Sequence, residues 1–168
     1  MELRELADRE EIRHLISEYN WCGDFGDAEG FAATFAADGV LDVKGREPLR
    51  GHPMLLDAVR NFFWLDPDLL ARRRADGPFR HHVSSVRVQI DDANHAHARA
   101  YFLVLGAHGP DHWGRYTDTL TREDGHWRFA LRRVSIDGAS VGSTHQPSHS
   151  GAPRSTQHAG DIPSGDTP

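Results

Sequence analysis

The dipeptide Asp124-Gly125 is the feature that most restricts how this chain can fold. It lies between Trp113–Glu123 and His126–Asp137, two runs rich in β-branched and aromatic residues, and it supplies the positive-φ positions of a two-residue hairpin turn. A turn of that length sets a register. Glu123 is expected opposite His126, Leu120 opposite Phe129, Asp118 opposite Leu131 and Tyr116 opposite Arg133. Side chains on a strand alternate between faces, so the register sorts them. One face carries Trp127, Phe129, Leu131 and Leu120, a core, and further along it the polar Tyr116, Asp118 and Arg133. The other carries Thr117, Thr119, Thr121, Arg128 and Arg132, which can meet solvent or a second copy of the chain.

Two further strand-like runs precede the hairpin, Phe79–Ile90 and Ala96–Ala107, with turn residues at Asp91-Asp92-Ala93-Asn94 and Gly109-Pro110-Asp111 between the strands. Along the first of them, Val86, Val88 and Ile90 share a parity with His82 and Ser84. Unless a bulge intervenes, His82 is expected to project into the core.

The N-terminal half has the other period. Ile12, Leu15, Ile16, Tyr19 and Cys22 recur at helical spacing, with Arg9, Glu10, Arg13 and Glu18 on the opposite face and Gly23 and Gly26 at the end. Asp27 can cap a short second helix with Ala28, Phe31, Ala32 and Phe35 inward, and Val40–Val43 reads as a short strand. Gly51-His52-Pro53 leads into a third helix, roughly Met54–Trp64, that turns Leu55, Val59, Phe62 and Phe63 inward. Helices followed by a meander define an α+β class, with helices covering one face of a bent antiparallel sheet.

After Asp137 the composition changes. From Gly138 to Pro168, 18 of 31 residues are Gly, Pro, Ser or Thr and none is aromatic, too little apolar surface to offset the entropy of ordering. Residues 1–137 are therefore expected to form the domain and 138–168 a flexible tail. The chain has 168 residues, a net charge of −6 and one cysteine. No basic footprint for nucleic acid or an anionic membrane is present, no disulfide can form within the chain, and no apolar stretch suggests a membrane span. A cytoplasmic location is expected.

A core that turns polar at one end suits a small-molecule pocket. Its candidate groups are Asp24, Tyr19, His82 and the Tyr116, Asp118 and Arg133 cluster, with Trp21 on the first helix as a further lining residue. Tyr19 and Asp24 reach one cavity only if the helix unwinds near Gly23. A carboxylate beside an imidazole fixes its tautomer and raises its basicity, the arrangement for proton abstraction. From the residues alone each also has a plainer reading: His82 as a hydrogen-bonded core residue, Asp24 as a helix cap, Asp118 with Arg133 as an ion pair that orders the sheet. The His95-Ala96-His97 spacing lacks further ligands, so no metal is expected.

The order of these motifs resembles one family. Tyr19-x4-Asp24, Gly26-Asp27, Phe31-x3-Phe35-Ala36-x-Asp38, His81-His82-Val83-Ser84, Gly114-Arg115-Tyr116-Thr117-Asp118 and Asp124-Gly125-His126-Trp127-Arg128-Phe129 are similar to the SnoaL-like branch of the nuclear transport factor 2-like fold. That branch includes scytalone dehydratase, bile-acid 7α-dehydratase and hexachlorocyclohexane dehydrochlorinase. The resemblance implies a cone of helices on a strongly curved sheet around a deep pocket, and association as a homodimer or homotrimer through the sheet. It implies a catalytic pair at Asp24 and His82, assisted by Tyr19, with Tyr116 lining the pocket. A second acid–base group found in some members falls near Val104 or Gly106, both uncharged, and His108 shares their parity. The function so implied is that of a cofactor-independent dehydratase or isomerase acting on a small apolar oxygenated molecule. A cyclase or hydrolase using the same pair, or a non-catalytic binding or assembly subunit, are the alternatives.

Overall fold

The computed structural model describes residues 2–61, 79–141 and 143. Helix α1 spans Leu3–Phe25, α2 Ala28–Ala33 and α3 Gly51–Asn61; strands are β1 Phe35–Val43, β2 Leu49–Arg50, β3 Arg80–Ile90, β4 His95–Gly106, β5 Gly109–Glu123 and β6 His126–Ala139. One six-stranded, curved sheet runs in the order β2-β1-β6-β5-β4-β3, with the helices packed on one face. Its neighbours are antiparallel except β1 and β6, which run parallel. Parallel neighbours need a long crossover, and everything from β2 to β5 lies between these two strands.

Local chemistry explains the helix ends. Gly26, at φ 75°, closes α1 in the left-handed conformation that only glycine adopts without cost. One residue on, the Asp27 carboxylate caps α2 by accepting from the Gly30 N–H at 2.9 Å. Helix α3 starts at Gly51, with Pro53 in its first turn, where the missing N–H has no partner to lose. It thus begins earlier than its apolar spacing suggests, and the expected positions Phe62, Phe63 and Trp64 lie outside the described residues. Phe35 opens β1 instead of extending α2, and β2 has too few residues to leave a periodic signal.

The buried layer joins Ile12, Leu15, Ile16, Tyr19 and Cys22 of α1 to Phe31, Phe35, Leu41, Leu55, Val59, Phe102, Tyr116, Leu120, Trp127 and Phe129. At its far end α1 is tied to the β5–β6 hairpin by Asp8, whose carboxylate accepts from Arg122 and from the Trp127 indole N–H. Glu11 accepts from the Trp127 backbone N–H at 3.0 Å. Asp124 and Gly125 both have positive φ, 49° and 83°, as the expected hairpin requires.

Bulges re-phase the ladder. Between Thr119↔Leu131 and Leu120↔Phe129, β6 carries one extra residue, Ala130. Glu123–His126 and Leu120–Phe129 pair as expected, but beyond the bulge Asp118 faces Arg132 and Tyr116 faces Val134. Arg132, expected on the outer face, is consequently buried in the core, whereas Arg133 is on the outside. β3 carries an extra residue as well, between Ser84↔Tyr101 and Arg87↔Arg99, where Ser85 takes φ 53°. Upstream of it His81 and Val83 face inward and His82 is exposed. β6 continues past Asp137 to Ala139, and Gly138 admits the Trp113 indole so closely that a Cβ there would lie 2.4 Å from the ring.

Candidate active site

Asp24 sits in the last turn of α1, which stays helical through Gly23 and does not unwind there. Its carboxylate faces the start of β3 and is held by two donors of one residue. The His81 backbone N–H reaches Oδ2 at 2.9 Å and the His81 ring Nδ1 lies 2.6 Å from Oδ1. This pair replaces the expected Asp24–His82 pair, because the Ser85 bulge changes the parity of every β3 residue before it. The carboxylate side chain is 7% exposed and the imidazole 27%. A buried acceptor thus fixes the ring through Nδ1–H and leaves Nε2 as the basic nitrogen of a reachable imidazole.

Behind the pair lies an aromatic box around a buried cation. Arg132 donates to Asp118 through Nε at 2.9 Å and Nη2 at 2.7 Å, and both side chains are fully buried. Its guanidinium carbon lies 4.2 Å from the ring centres of Tyr19 and Tyr116 and 4.0 Å from that of Phe129. Desolvation lowers the Arg132 pKa, but Asp118, with smaller contributions from Tyr19 and Tyr116, opposes it and the value is raised. Burial pushes the Asp118 carboxyl up, with Arg132 opposing. The fork-on-carboxylate geometry is that of a charged pair. Among the described residues Arg132 Nη1 is the buried side-chain nitrogen or oxygen that has no hydrogen-bond partner.

The two tyrosines differ. Tyr116 donates its hydroxyl proton to Asn20 Oδ1 at 2.9 Å, and Asn20 in turn donates to the Ile16 carbonyl at 2.7 Å. The Tyr19 hydroxyl has no hydrogen-bond partner among the described residues, and burial pushes its pKa up to about 12, so it remains a proton donor. Tyr116 stacks on Phe102 at 4.7 Å, and Phe102 also lies 6.3 Å from the His81 ring and 6.0 Å from that of His112.

Besides His81, the inward-facing groups that the sequence analysis did not single out are His112 and Arg132. In the ladder His81 pairs with Val104 and Val104 with His112, so both imidazoles stand in one row on the inner face. The extra residue at the neighbouring β5 bulge, Asp111, holds His112 Nδ1 at 2.7 Å. Burial, with a smaller contribution from His81, lowers the His112 pKa against the pull of Asp111. Alternation from Leu120 back through Asp118, Tyr116 and Gly114 puts His112 on the inner face, one residue before the expected strand start at Trp113, whereas the Ala130 bulge hid Arg132.

Other expected members fall elsewhere. His108 is exposed in the turn between β4 and β5. Arg133 pairs with Asp42 at 2.9 Å on the outer side, not with Asp118. Trp21 is 65% exposed and packs on Phe25, with ring centres 4.7 Å apart. No group of three or more His, Cys, Asp or Glu side chains that could hold a metal occurs among the described residues. Nor is any described helix long and apolar enough to cross a membrane.

Helices packed on a curved sheet, with an acid at the end of α1 meeting a histidine at the start of β3, define a nuclear transport factor 2-like, or cystatin-like, α+β protein. The SnoaL-like domain model matches residues 4–133, and the chain belongs to that family. No curated protein matches it by sequence. Among solved structures it is similar to a nuclear transport factor 2-like protein with a cystatin-like fold from Novosphingobium aromaticivorans, at 28% identity and a TM-score of 0.70, over 83% of this chain and 88% of that one. Hexachlorocyclohexane dehydrochlorinase LinA-type3 from Novosphingobium barchaimii shares 22% identity and a TM-score of 0.67, over 86% and 98% of the two chains. A candidate scytalone dehydratase from Novosphingobium aromaticivorans shares 17% identity and a TM-score of 0.68, over 85% and 93%. At these last two identities the likeness is one of fold.

Proposed function

We propose that the chain is a cofactor-independent acid–base enzyme, a dehydratase or isomerase, acting on a small apolar molecule with a carbonyl or hydroxyl group beside an acidic C–H bond. The observation that carries this reading is the Asp24–His81 pair, a buried carboxylate holding a half-buried imidazole at 2.6 Å. His81 Nε2 takes the proton from carbon, and Asp24 holds the ring and stabilises its charged form. The negative charge that develops on the substrate oxygen meets the Tyr19 hydroxyl, which has no hydrogen-bond partner among the described residues, with the buried Arg132 guanidinium stacked on the Tyr19 ring behind it in an aromatic surrounding of low polarity. In a dehydration the proton on His81 then passes to the departing hydroxyl and water leaves. In an isomerisation it returns to a different carbon. The aromatic rings of Phe102, Tyr116 and Phe129 favour an apolar substrate body.

Hydrogen–deuterium exchange tests this without knowledge of the natural substrate. A panel of cyclic ketones and β-hydroxyketones is incubated with protein in D2O, and NMR follows loss of the α-proton and appearance of the unsaturated product. His81→Ala and Asp24→Asn should each reduce the rate on the order of 10²–10⁴-fold, and the double variant scarcely further, since the two act as a unit. His82→Ala should leave the rate unchanged. Equal rates in wild type and His81→Ala would end the assignment.

A further inference from the structure

Away from the Asp24–His81 pair, a cleft of about 580 Å³ opens where Arg9 of α1 meets the β3–β4 hairpin, lined by Arg9, Arg87, Val88, Gln89, His97, Ala98 and Arg99. Three guanidinium groups in one cleft stand out on a chain whose net charge is −6. Their surroundings differ. Arg9 is matched by Glu5, at 2.8 Å, and donates to the Val88 carbonyl on the sheet edge. His97 has Asp91 at 3.2 Å, and Gln89 donates to Asp91 at 2.9 Å. Among the described residues the Arg87 and Arg99 side chains have neither a hydrogen bond nor an ion pair, and they are direct partners across the β3–β4 ladder, both exposed.

Like charges directly opposite on paired strands destabilise a sheet. Their α-carbons lie about 4.5–5.5 Å apart in such a pair, so both guanidinium forks can close on one oxyanion. The Ser85 bulge immediately precedes Arg87; alternation continued unbroken from His81 through this stretch would put Arg87 on the core side. Phosphate and carboxylate groups match a guanidinium through two parallel N–H···O bonds, and two forks match a group with at least two negative charges.

We propose that this cleft is a binding site for a small polyanion, a phosphate-bearing or polycarboxylate molecule, clamped between Arg87 and Arg99 with Arg9 at the rim. The site is separate from the proposed reaction centre and does not depend on the activity assigned there.

Titration calorimetry with inorganic pyrophosphate, and separately with citrate, tests it at constant ionic strength. One of the two should bind saturably at one ion per chain, and the stronger of them names the source as phosphate or carboxylate. Arg87→Gln and Arg99→Gln should each weaken binding by about tenfold or more, while Arg115→Gln, whose partner is Asp137, should not. In anion-free buffer Arg99→Gln should unfold at a higher urea concentration than wild type, because the repulsion is gone, and this advantage should vanish at saturating anion. No saturable binding of either ion at millimolar concentration would overturn the proposal, as would binding unaffected by both substitutions. Light scattering that shows a dimer in wild type but not in Arg87→Gln/Arg99→Gln would overturn it too, since carboxylates of a second copy would then fill the cleft.

Discussion

Arg132 and Asp118 form the one charged pair among the described residues from which water is fully excluded. Removing one partner of such a pair leaves an uncompensated buried charge, so Asp118→Asn should lower the unfolding free energy by about 3–5 kcal/mol. Urea denaturation read by tryptophan fluorescence gives this value directly. Asp42→Asn, which unpairs the half-exposed Arg133, should shift the same curve by no more than ~1 kcal/mol. Two adjacent arginines thus differ severalfold in consequence, and nothing in their immediate sequence distinguishes them. The same holds for His81 and His82. Residue type identified which chemistries were present, an imidazole, a carboxylate and a guanidinium, but neighbours along a strand are separated only by parity.

Parity belongs to the element, and here bulges decide it. The helices, the meander and the Asp124-Gly125 hairpin were legible because periodicity and turn chemistry are local. Ala130 and Ser85 were not, since a bulge is one unpaired residue in a long-range ladder and neither residue type marks it. Pairing inferred by counting from the hairpin held as far as Leu120–Phe129 and failed beyond it. Counting back from Val88 failed at His82 for the same reason. Asp24 was legible from its place after the helix, and its partner was one residue away from the expected one. The role of the β3 bulge is open to direct test. Deleting Ser85 removes the unpaired residue but keeps Ser84 opposite Tyr101 and Arg87 opposite Arg99, so the ladder becomes regular with His81 still inward and His82 outward. In that background the deuterium exchange should remain sensitive to His81→Ala and indifferent to His82→Ala. A switch of dependence to His82 would overturn this register.

At the scale of the whole molecule, protonation links the site to stability. Burial lowers the His112 pKa below its usual value, so between the folded value and ~6.5 the unfolded chain binds more protons than the folded one. The stability from neutral His112 is full above ~6.5 and is lost as pH falls through the folded value. Urea midpoints measured from pH 7.5 down to 5 should therefore decline, and His112→Gln, which keeps a side-chain donor towards Asp111, should flatten the slope. An identical slope in the variant would assign it to other groups. The parallel pairing of β1 with β6 has a consequence of another kind, in time. Made on the ribosome, the first part of the chain holds α1, α2 and β1 but nothing for β1 to join except the two residues of β2. The meander grows from β3 to β5 while β1 waits, and only the last strand bridges them, bringing Phe129 and Arg132 to Tyr19 in the same step. Contacts so distant in sequence close slowly. The acid that begins the site and the cation that completes it are made at opposite ends of synthesis, and a nascent chain stopped short of β6 has neither a closed sheet nor a finished site.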